Sequence, residues 1–414
     1  MQIALIIGFV WVEPNSSAAG SRMLQLIAFL QERGYRVVFA SPAQKSEKAI
    51  GLKELNIEEV GIELNAVSFD VFIKNLNPSL VVFDRFMMEE QFGWRVAQNC
   101  PEAVRVLDTE DLHSLRKTRQ EVFKTGEQFE LKHFLLADIT KREVAAILRC
   151  DLSLIISSFE MTVLNEYLKI DHHILHHLPF LLDPITDLKS TVWKDFHQRK
   201  HFVFVGNFLH APNTAAVLAL KKTIWKQIKE QLPSAELHIY GAYVTQQITQ
   251  LHSEKEGFLI KGYIHNAVDV VRNARVVLAP LEFGAGIKGK LTEAMQCGTP
   301  SVTTNIGAEG MHADLPWSGF IEDDFSKFSE KAIRLYTDAD VWSNKQLNGI
   351  EIINTLYDKQ TLEKAFSNKL NEIQDDLERH RANNFLGRLI QHQSLQASKY
   401  MGKWIEEKNK KERS

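Results

Sequence analysis

The chain has 414 residues and a formal net charge of −3 at pH 7. Apolar residues make up 44% of the sequence and charged residues 24%, which is typical of a globular protein with two or three domains. The slightly acidic balance and the lack of a nucleic-acid-binding signature exclude nucleic acid as an expected partner. Three widely separated cysteines (Cys100, Cys150 and Cys297) predict neither a disulfide framework nor a zinc site, and they favour a cytoplasmic location.

The first apolar run follows Met1 without a basic region and ends by Val12. We therefore interpret it as a β-strand and not as a signal peptide. No segment approaches the about 20 apolar residues that cross a bilayer, although contact with a membrane surface stays open.

The first part of the chain alternates strand and helix patterns, which predicts a parallel sheet covered by helices. Strands are predicted at 2–8, 36–40, 80–84, 103–108 and 152–156. Helices are predicted at 21–33 and, as one long amphipathic element, at 127–150. These elements predict a Rossmann-like domain over residues 1–185.

The alternation starts again after a polar segment at 179–200, which contains Pro179 and Pro184 and is predicted to link two domains. Strands are predicted at 201–205, 236–240, 257–261, 275–279 and 301–304. Helices are predicted at 213–231, 266–273, 324–337 and 341–356. A second Rossmann-like domain is thus expected over 186–375. The charged helices at 376–414 are expected to pack back on the first domain, or to form a coiled-coil or dimer contact.

The most informative segment is LAPLEFGAGIKGKLTEAMQCGTPSV at 278–302. A strand leads into a loop with three glycines and two lysines: Gly284, Gly286, Gly289, Lys288 and Lys290. Glycines let a ligand approach the backbone, and the N-terminus of the following helix favours an anion. Glu293 lies one turn into that helix, where its carboxylate can accept hydrogen bonds from ribose or sugar hydroxyls. The segment predicts a site for a phosphate-bearing ligand.

The order of these pieces resembles the donor-site signature of the group 1 (family 4-like) glycosyltransferases of the GT-B fold. The matching pieces are the loop at 284–290, Glu293-Ala294-Met295, Gly298, Pro300 and the Gly-Ala-Glu-Gly run at 307–310. The resemblance implies an α/β architecture in which two Rossmann-like domains face a central cleft. It also implies transfer of a sugar from a nucleotide-diphosphate sugar to an acceptor hydroxyl, with retention.

The resemblance further implies roles for single residues. Lys288 would stabilise the departing diphosphate during catalysis, Lys290 would bind it and Glu293 would hold the ribose. No cofactor and no metal are expected, because lysines and helix dipoles neutralise the diphosphate in this family. The expected acceptor is a glycan, a lipid-linked glycan or a small molecule.

One departure from the family concerns the donor sugar. Many members carry a second glutamate eight residues before the position of Glu293, and this chain has Ala285 there. Glu282 is close by and is a possible substitute. A non-catalytic subunit that binds nucleotide sugar or a partner therefore stays open as an alternative function, as does a nucleotide-sugar epimerase.

The segment 202–213 (FVFVGNFLHAPN) resembles the first strand and loop of the donor domain in the same family. Gly206 allows a phosphate to approach the backbone, and Asn207 can donate a hydrogen bond to it. Where many relatives have an arginine, this chain has His210 and Asn213. Asn213 is expected either to contact the ligand or to cap the following helix.

In the first domain, the segment 107–116 (LDTEDLHSLR) follows a strand and places several polar groups at the cleft. We predict catalytic roles for Asp108 and His113, which can orient or deprotonate an acceptor hydroxyl. Capping of a helix by Thr109 or Asp111 is the alternative.

Three further features carry weaker expectations. The small residues of the loop 13–20 are expected to admit a sugar, and Arg22 is expected to contact an anionic acceptor or merely to solvate its helix. Four histidines (His172, His173, His176 and His177) precede the linker, but no metal site is predicted there, because few carboxylates lie nearby.

Overall fold

The computed structural model describes residues 2–190 and 192–413, with side chains except at 394–398 and 409–413. Thirteen strands in these residues form two separate parallel sheets. The strands of the first sheet are β1 (Ile3–Ile7), β2 (Arg36–Ser41), β3 (Glu58–Gly61), β4 (Leu80–Asp84), β5 (Val104–Asp108), β6 (Leu152–Ile155) and β7 (Leu175–His177). Those of the second are β8 (Lys200–Val205), β9 (Leu237–Tyr240), β10 (Phe258–Gly262), β11 (Ala274–Ala279), β12 (Ser301–Thr303) and β13 (Gly319–Ile321).

The strand orders are β3-β2-β1-β4-β5-β6-β7 and β10-β9-β8-β11-β12-β13. Apolar helix faces cover both sides of each sheet, and two buried clusters lie in each domain. The α/β fold with two Rossmann-like domains that the sequence predicted is therefore confirmed. In such sheets, loops at the carboxyl ends of the strands form the binding crevice.

Nineteen α-helices in the described residues lie between these strands or follow the last of them. Those up to the second sheet are α1 (Ala18–Glu32), α2 (Val67–Leu76), α3 (Phe86–Asn99), α4 (His113–Thr125), α5 (Leu131–Leu136), α6 (Asp138–Arg149), α7 (Ser158–Thr162) and α8 (Asp187–Ser190). The others are α9 (Ala211–Ala219), α10 (Trp225–Gln231), α11 (Gln246–Thr249), α12 (Ala267–Asn273), α13 (Gly289–Gln296), α14 (Asn305–Ala308), α15 (Phe325–Thr337), α16 (Ala339–Leu356), α17 (Lys359–Asp375), α18 (Leu377–Asn383) and α19 (Phe385–Arg413).

The single long helix predicted at 127–150 is wrong. The segment forms α5 and α6, which are separated at Ala137, a residue with extended backbone (φ −70°, ψ 137°). Phe134 is fully buried, and its carbonyl accepts a hydrogen bond from the Thr140 hydroxyl at 2.6 Å. Tertiary packing of Phe134 and this local hydrogen bond thus outweigh the helical periodicity.

The C-terminal helices return to the first domain, as one of the two sequence expectations proposed. Arg381 of α18 forms an ion pair with Asp151 at 2.8 Å, and Arg95 of α3 pairs with Glu406 of α19. The return begins before residue 376, because Phe366 and Leu370 of α17 are already buried in the core of the first domain. The change of domain therefore falls near Lys359, earlier than the sequence indicated.

Candidate active site

The glycine loop of the second domain lies directly against the first domain. Gly286 has a φ of 64°, and a Cβ added there would lie 2.7 Å from the Cβ of Asp111. A Cβ on Gly289, at the start of α13, would lie 2.5 Å from the Cβ of Ala18. Position 286 thus requires glycine for two reasons, its left-handed backbone and its close contact with Asp111. Position 289 requires glycine because of its close contact with Ala18. The small residues expected to admit a sugar at 13–20 instead receive the start of α13.

Lys288 is buried beneath this loop. Only 8% of its surface is exposed, and its Nζ donates to the carbonyl of Gly286 at 2.8 Å. Burial lowers the pKa of Lys288 to about 8, although Glu309 works in the opposite direction. The positive charge of Lys288 is therefore poorly solvated, and a bound anion would stabilise it.

Lys290 is held by Asn213, which is itself positioned by Asn207. Its Nζ donates to Asn213 Oδ1 at 2.5 Å and lies 4.1 Å from the ring centre of Phe204. Asn213 Nδ2 in turn donates to the carbonyl of Asn207 at 2.7 Å. Burial lowers the pKa of Lys290 to about 7. Asn213 therefore positions Lys290 and does not cap α9, whose N-cap residue is His210.

The other predicted donor residues lie close to Lys290. A Cβ on Gly206 would lie 2.9 Å from Asn213 Cγ, so the missing side chain makes room for this network. Asn207 donates across the cleft to the carbonyl of Ser16 at 3.1 Å. Glu293 lies one turn along α13, and burial raises its pKa to about 7. The structure thus brings the second-domain residues of the predicted donor site together on one edge of the sheet.

Asp108 and Arg22 form a buried ion pair. Arg22 Nη2 lies 2.8 Å from Asp108 Oδ1 and Nε lies 3.2 Å from Oδ2, and neither side chain exposes more than 1% of its surface. Arg22 also donates to the carbonyl of Leu178 at 2.7 Å. Arg22 is therefore neither a solvated surface group nor free for an acceptor. The catalytic role of Asp108 stays a prediction, and any contact with substrate has to compete with this pair.

His113 is the first residue of α4 and contacts Arg116. Arg116 Nη2 lies 2.7 Å from His113 Nδ1, and since arginine only donates, Nδ1 accepts and the ring proton is on Nε2. Burial lowers the pKa of His113 to about 4, and Arg116 adds to this effect. His113 is thus a neutral imidazole at pH 7. The backbone N–H of His113 donates to the Glu143 carboxylate of α6 at 3.0 Å. Glu143 therefore caps α4, and neither Thr109 nor Asp111 does so.

Glu110 follows the end of β5 in a strained backbone conformation. Its φ is 63°, which is uncommon for a residue with a side chain and recurs at functional sites. Burial raises the pKa of Glu110 well above its ordinary value, and the carboxylates of Asp108 and Asp84 add to the shift. A raised pKa favours the protonated form of Glu110, which can donate a hydrogen bond.

Basic side chains from the first domain supply charge that the donor loop lacks. Arg116 forms an ion pair with Asp111 at 2.6 Å. The pKa of His210 is lowered to about 4, mainly by burial and also by the positive charges of Arg116 and Arg85. Both arginines therefore lie within electrostatic reach of the second-domain loop where relatives have an arginine. The role of these two arginines could not be predicted from the sequence, because no local pattern shows a contact between residues about 100 positions apart.

A second group of contacts clamps the two domains together. Arg119 of α4 lies 2.7 and 2.8 Å from the two carboxylate oxygens of Glu309, and it donates to the carbonyl of Gly284 at 2.8 Å. Glu160 of α7 accepts from the amides of both Leu112 and Gly286, at 2.9 and 2.8 Å. One amide of the predicted phosphate loop is thus already engaged by a carboxylate.

Ala285, the departure from the family pattern, packs against the apolar core of the first domain. A glutamate at this position would bring an uncompensated charge into that contact. Glu282 is exposed. Ala285 therefore belongs to an apolar contact between the domains.

Solved structures with the same architecture are glycosyltransferases of low sequence identity. Sucrose-phosphate synthase from Thermosynechococcus elongatus aligns with 90% of this chain and 99% of its own, at 16% identity and a TM-score of 0.65. HepE from Anabaena in complex with UDP and glucose aligns with 90% of this chain and 100% of its own, at 12% identity and a TM-score of 0.62. No curated protein sequence matches the chain. The fold is GT-B.

The second domain matches a known family. Residues 199–338, which include β8 and the glycine loop, match the family described as "Glycosyl transferases group 1". The resemblance predicted from the loop at 284–290 is thereby confirmed for this domain, and the match supports glycosyltransferase activity.

Proposed function

We propose that the chain transfers a sugar from a nucleoside-diphosphate sugar to an acceptor hydroxyl, with retention of the anomeric configuration. The observation that carries the proposal is the pair of lysines at the N-terminus of α13, of which Lys288 is buried and Lys290 half-buried. Both are poorly solvated as cations without a ligand. A diphosphate supplies the missing counter-charge, and its charge grows as the nucleoside diphosphate departs, which is where fixed electrostatics contribute most to a rate.

The groups of the first domain suit hydroxyl recognition better than proton abstraction. His113 presents an Nε2–H, and its Nδ1 is used by Arg116. Glu110 holds its proton to a pH above the ordinary range of a carboxyl group. His113 therefore donates from Nε2 at neutral pH, and the raised pKa of Glu110 favours its protonated, donating form; either group can contact the donor sugar or the acceptor.

The choice of ligands rests on analogy and on charge. The HepE complex with UDP and glucose supports a nucleoside-diphosphate sugar as donor. We propose that no metal or cofactor takes part, because Lys288, Lys290 and the start of α13 supply positive charge. The acceptor is a glycan, a lipid-linked glycan or a small molecule. A cytoplasmic location is supported by three buried free thiols, Cys100, Cys150 and Cys297.

Donor consumption tests this function. The wild-type chain is incubated with a panel of UDP-, GDP- and ADP-sugars and extracted cell glycans, beside Glu110→Ala, His113→Ala and the control Glu121→Gln, whose side chain is exposed on α4. We expect the first two variants to lose about 100-fold or more in turnover while retaining donor affinity, in the range for a positioned proton-bearing group. The control should match the wild type.

Two other results would overturn parts of this proposal. Equal rates in all four proteins would remove Glu110 and His113 from the reaction. Measurable nucleotide binding without consumption of any donor would favour the non-catalytic alternative, and release of an epimerised nucleotide sugar would favour the epimerase.

Peripheral membrane contact through α19 is also part of the proposal. None of the helices in the described residues combines the length and apolarity that a bilayer crossing requires. The exposed side chains of Tyr400, Met401 and Trp404 lie together, on the side of α19 away from its contacts at Gly402 and Glu406. Aromatic side chains with nearby lysines suit the headgroup region. Sedimentation with anionic vesicles should recover the wild type and lose Trp404→Ser/Tyr400→Ser. Equal recovery would contradict this contact.

A further inference from the structure

Three side chains with metal-binding chemistry lie together at the amino-terminal edge of the second sheet. His201 lies at the start of β8, Glu236 immediately precedes β9, and His238 lies within β9. Glu236 Oε2 lies 2.7 Å from His238 Nε2 and 3.7 Å from His201 Nδ1. One ligand atom from each residue lies within 4.8 Å of the other two, and among the described residues this is the one such group of three.

Two properties of His201 are not explained by the fold alone. Its Nδ1 is buried and has no hydrogen-bond partner, because the Glu236 oxygen at 3.7 Å is too distant. Its backbone has a φ of 63°, a left-handed conformation at the second residue of β8. This conformation places the His201 ring almost parallel to that of His238, with ring centres 4.7 Å apart. Both rings thus stand beside one carboxylate.

We propose that His201, Glu236 and His238 bind a zinc ion, with water as the fourth ligand. Imidazole nitrogens and a carboxylate oxygen are preferred zinc donors, and bonds of about 2.0–2.2 Å put tetrahedral ligand atoms about 3.3–3.5 Å apart. Two of the present separations bracket this value and the third is at most 4.8 Å, so side-chain rotations that turn the two stacked rings toward a common point bring the three atoms to the ion. Binding breaks the hydrogen bond between Glu236 and His238 and releases any proton held there.

The surroundings favour a neutral, partly enclosed site. All three ligand residues are half-buried. The charged groups that face the cluster are Lys200 and Lys261, and both are exposed, so that solvent and salt screen their repulsion of a cation. The carboxylate of Glu236 offsets part of the charge of the ion itself.

The position of the site sets its role. His201 and the donor loop at Gly206 lie at opposite ends of β8, and five residues of strand span about 16 Å. An ion at His201 therefore does not reach the diphosphate. It connects β8 to β9, whose paired residues include Phe202 and Leu237, and stabilises the second domain independently of sugar transfer.

Zinc titration of the full, untagged chain tests the site. Calorimetry should give one zinc ion bound per chain, with release of protons that depends on the buffer. Zinc at a hundredfold excess over its dissociation constant should raise the melting temperature by roughly 5–10 °C, and a chelator should reverse the rise. His201→Ala and His238→Ala should abolish both effects, and Glu236→Gln should weaken binding by about tenfold or more.

Matched variants separate this site from other histidines. His197→Ala removes an exposed imidazole of the same domain, and His172→Ala removes an exposed imidazole of the first domain; each variant should bind zinc as the wild type does. The melting temperature of every variant without zinc shows whether it folds. Absence of zinc binding by the wild type, or full binding by a folded His201→Ala variant, would overturn the proposal.

Discussion

Replacing both Lys288 and Lys290 by alanine should reduce the affinity for nucleoside diphosphate at least 100-fold. A hydrogen bond to a charged group contributes about 1.5–3 kcal/mol, which corresponds to about 10- to 150-fold for each lysine. Calorimetric titration with UDP, GDP and ADP measures the loss. Lys327→Ala, which removes an exposed lysine of the same domain, should leave the affinity unchanged. An unchanged affinity in a folded double variant would disprove the assignment of the donor site.

The pH dependence of binding provides a second check on the same lysines. In the free protein, burial lowers the pKa of Lys290 to about 7 and of Lys288 to about 8. A diphosphate binds the protonated lysines and raises their pKa values, so binding takes up protons above pH 7. Affinity should fall by up to about tenfold per pH unit for each lysine between pH 7 and 10. In Lys290→Met, proton uptake near pH 7.5 should decrease.

The substitution Asp108→Asn should destabilise the chain by about 3–5 kcal/mol. It leaves the guanidinium of Arg22, which is 1% exposed, buried without its counter-ion. Denaturant-induced unfolding of the first domain measures the loss. Arg22 keeps its hydrogen bonds to the carbonyls of Leu178 and Pro179 in the variant, and these bonds favour a loss near the lower end of this range.

A matched double variant separates charge burial from catalysis. Arg22→Met/Asp108→Leu removes both charges and should recover most of the stability lost in Asp108→Asn, because two apolar side chains replace the pair. If Asp108→Asn unfolded like the wild type and lost only turnover, the predicted catalytic role of Asp108 would be supported and the structural one rejected.

The sequence predicted most of the strands because buried parallel strands give continuous apolar runs, as at β4 and β11. It also located the donor loop, since the order of glycines, lysines and Glu293 is encoded locally. It did not reveal that Asn213 holds Lys290, that Glu143 caps α4 or that Arg119 reaches Glu309. Each of these contacts joins residues from 30 to 190 positions apart, and no local pattern specifies such a pair.

The contact between Ala18 and Gly289 also restricts how the two domains can move. Between α1 and α13 there is no room for a side chain on residue 289. Even a Cβ on Gly289 would lie only 2.5 Å from the Cβ of Ala18. Lateral sliding would bring the larger flanking residues Ser17 and Lys290 into the same space. The two domains can therefore approach no further at this point, and widening the cleft requires α1 and α13 to move apart.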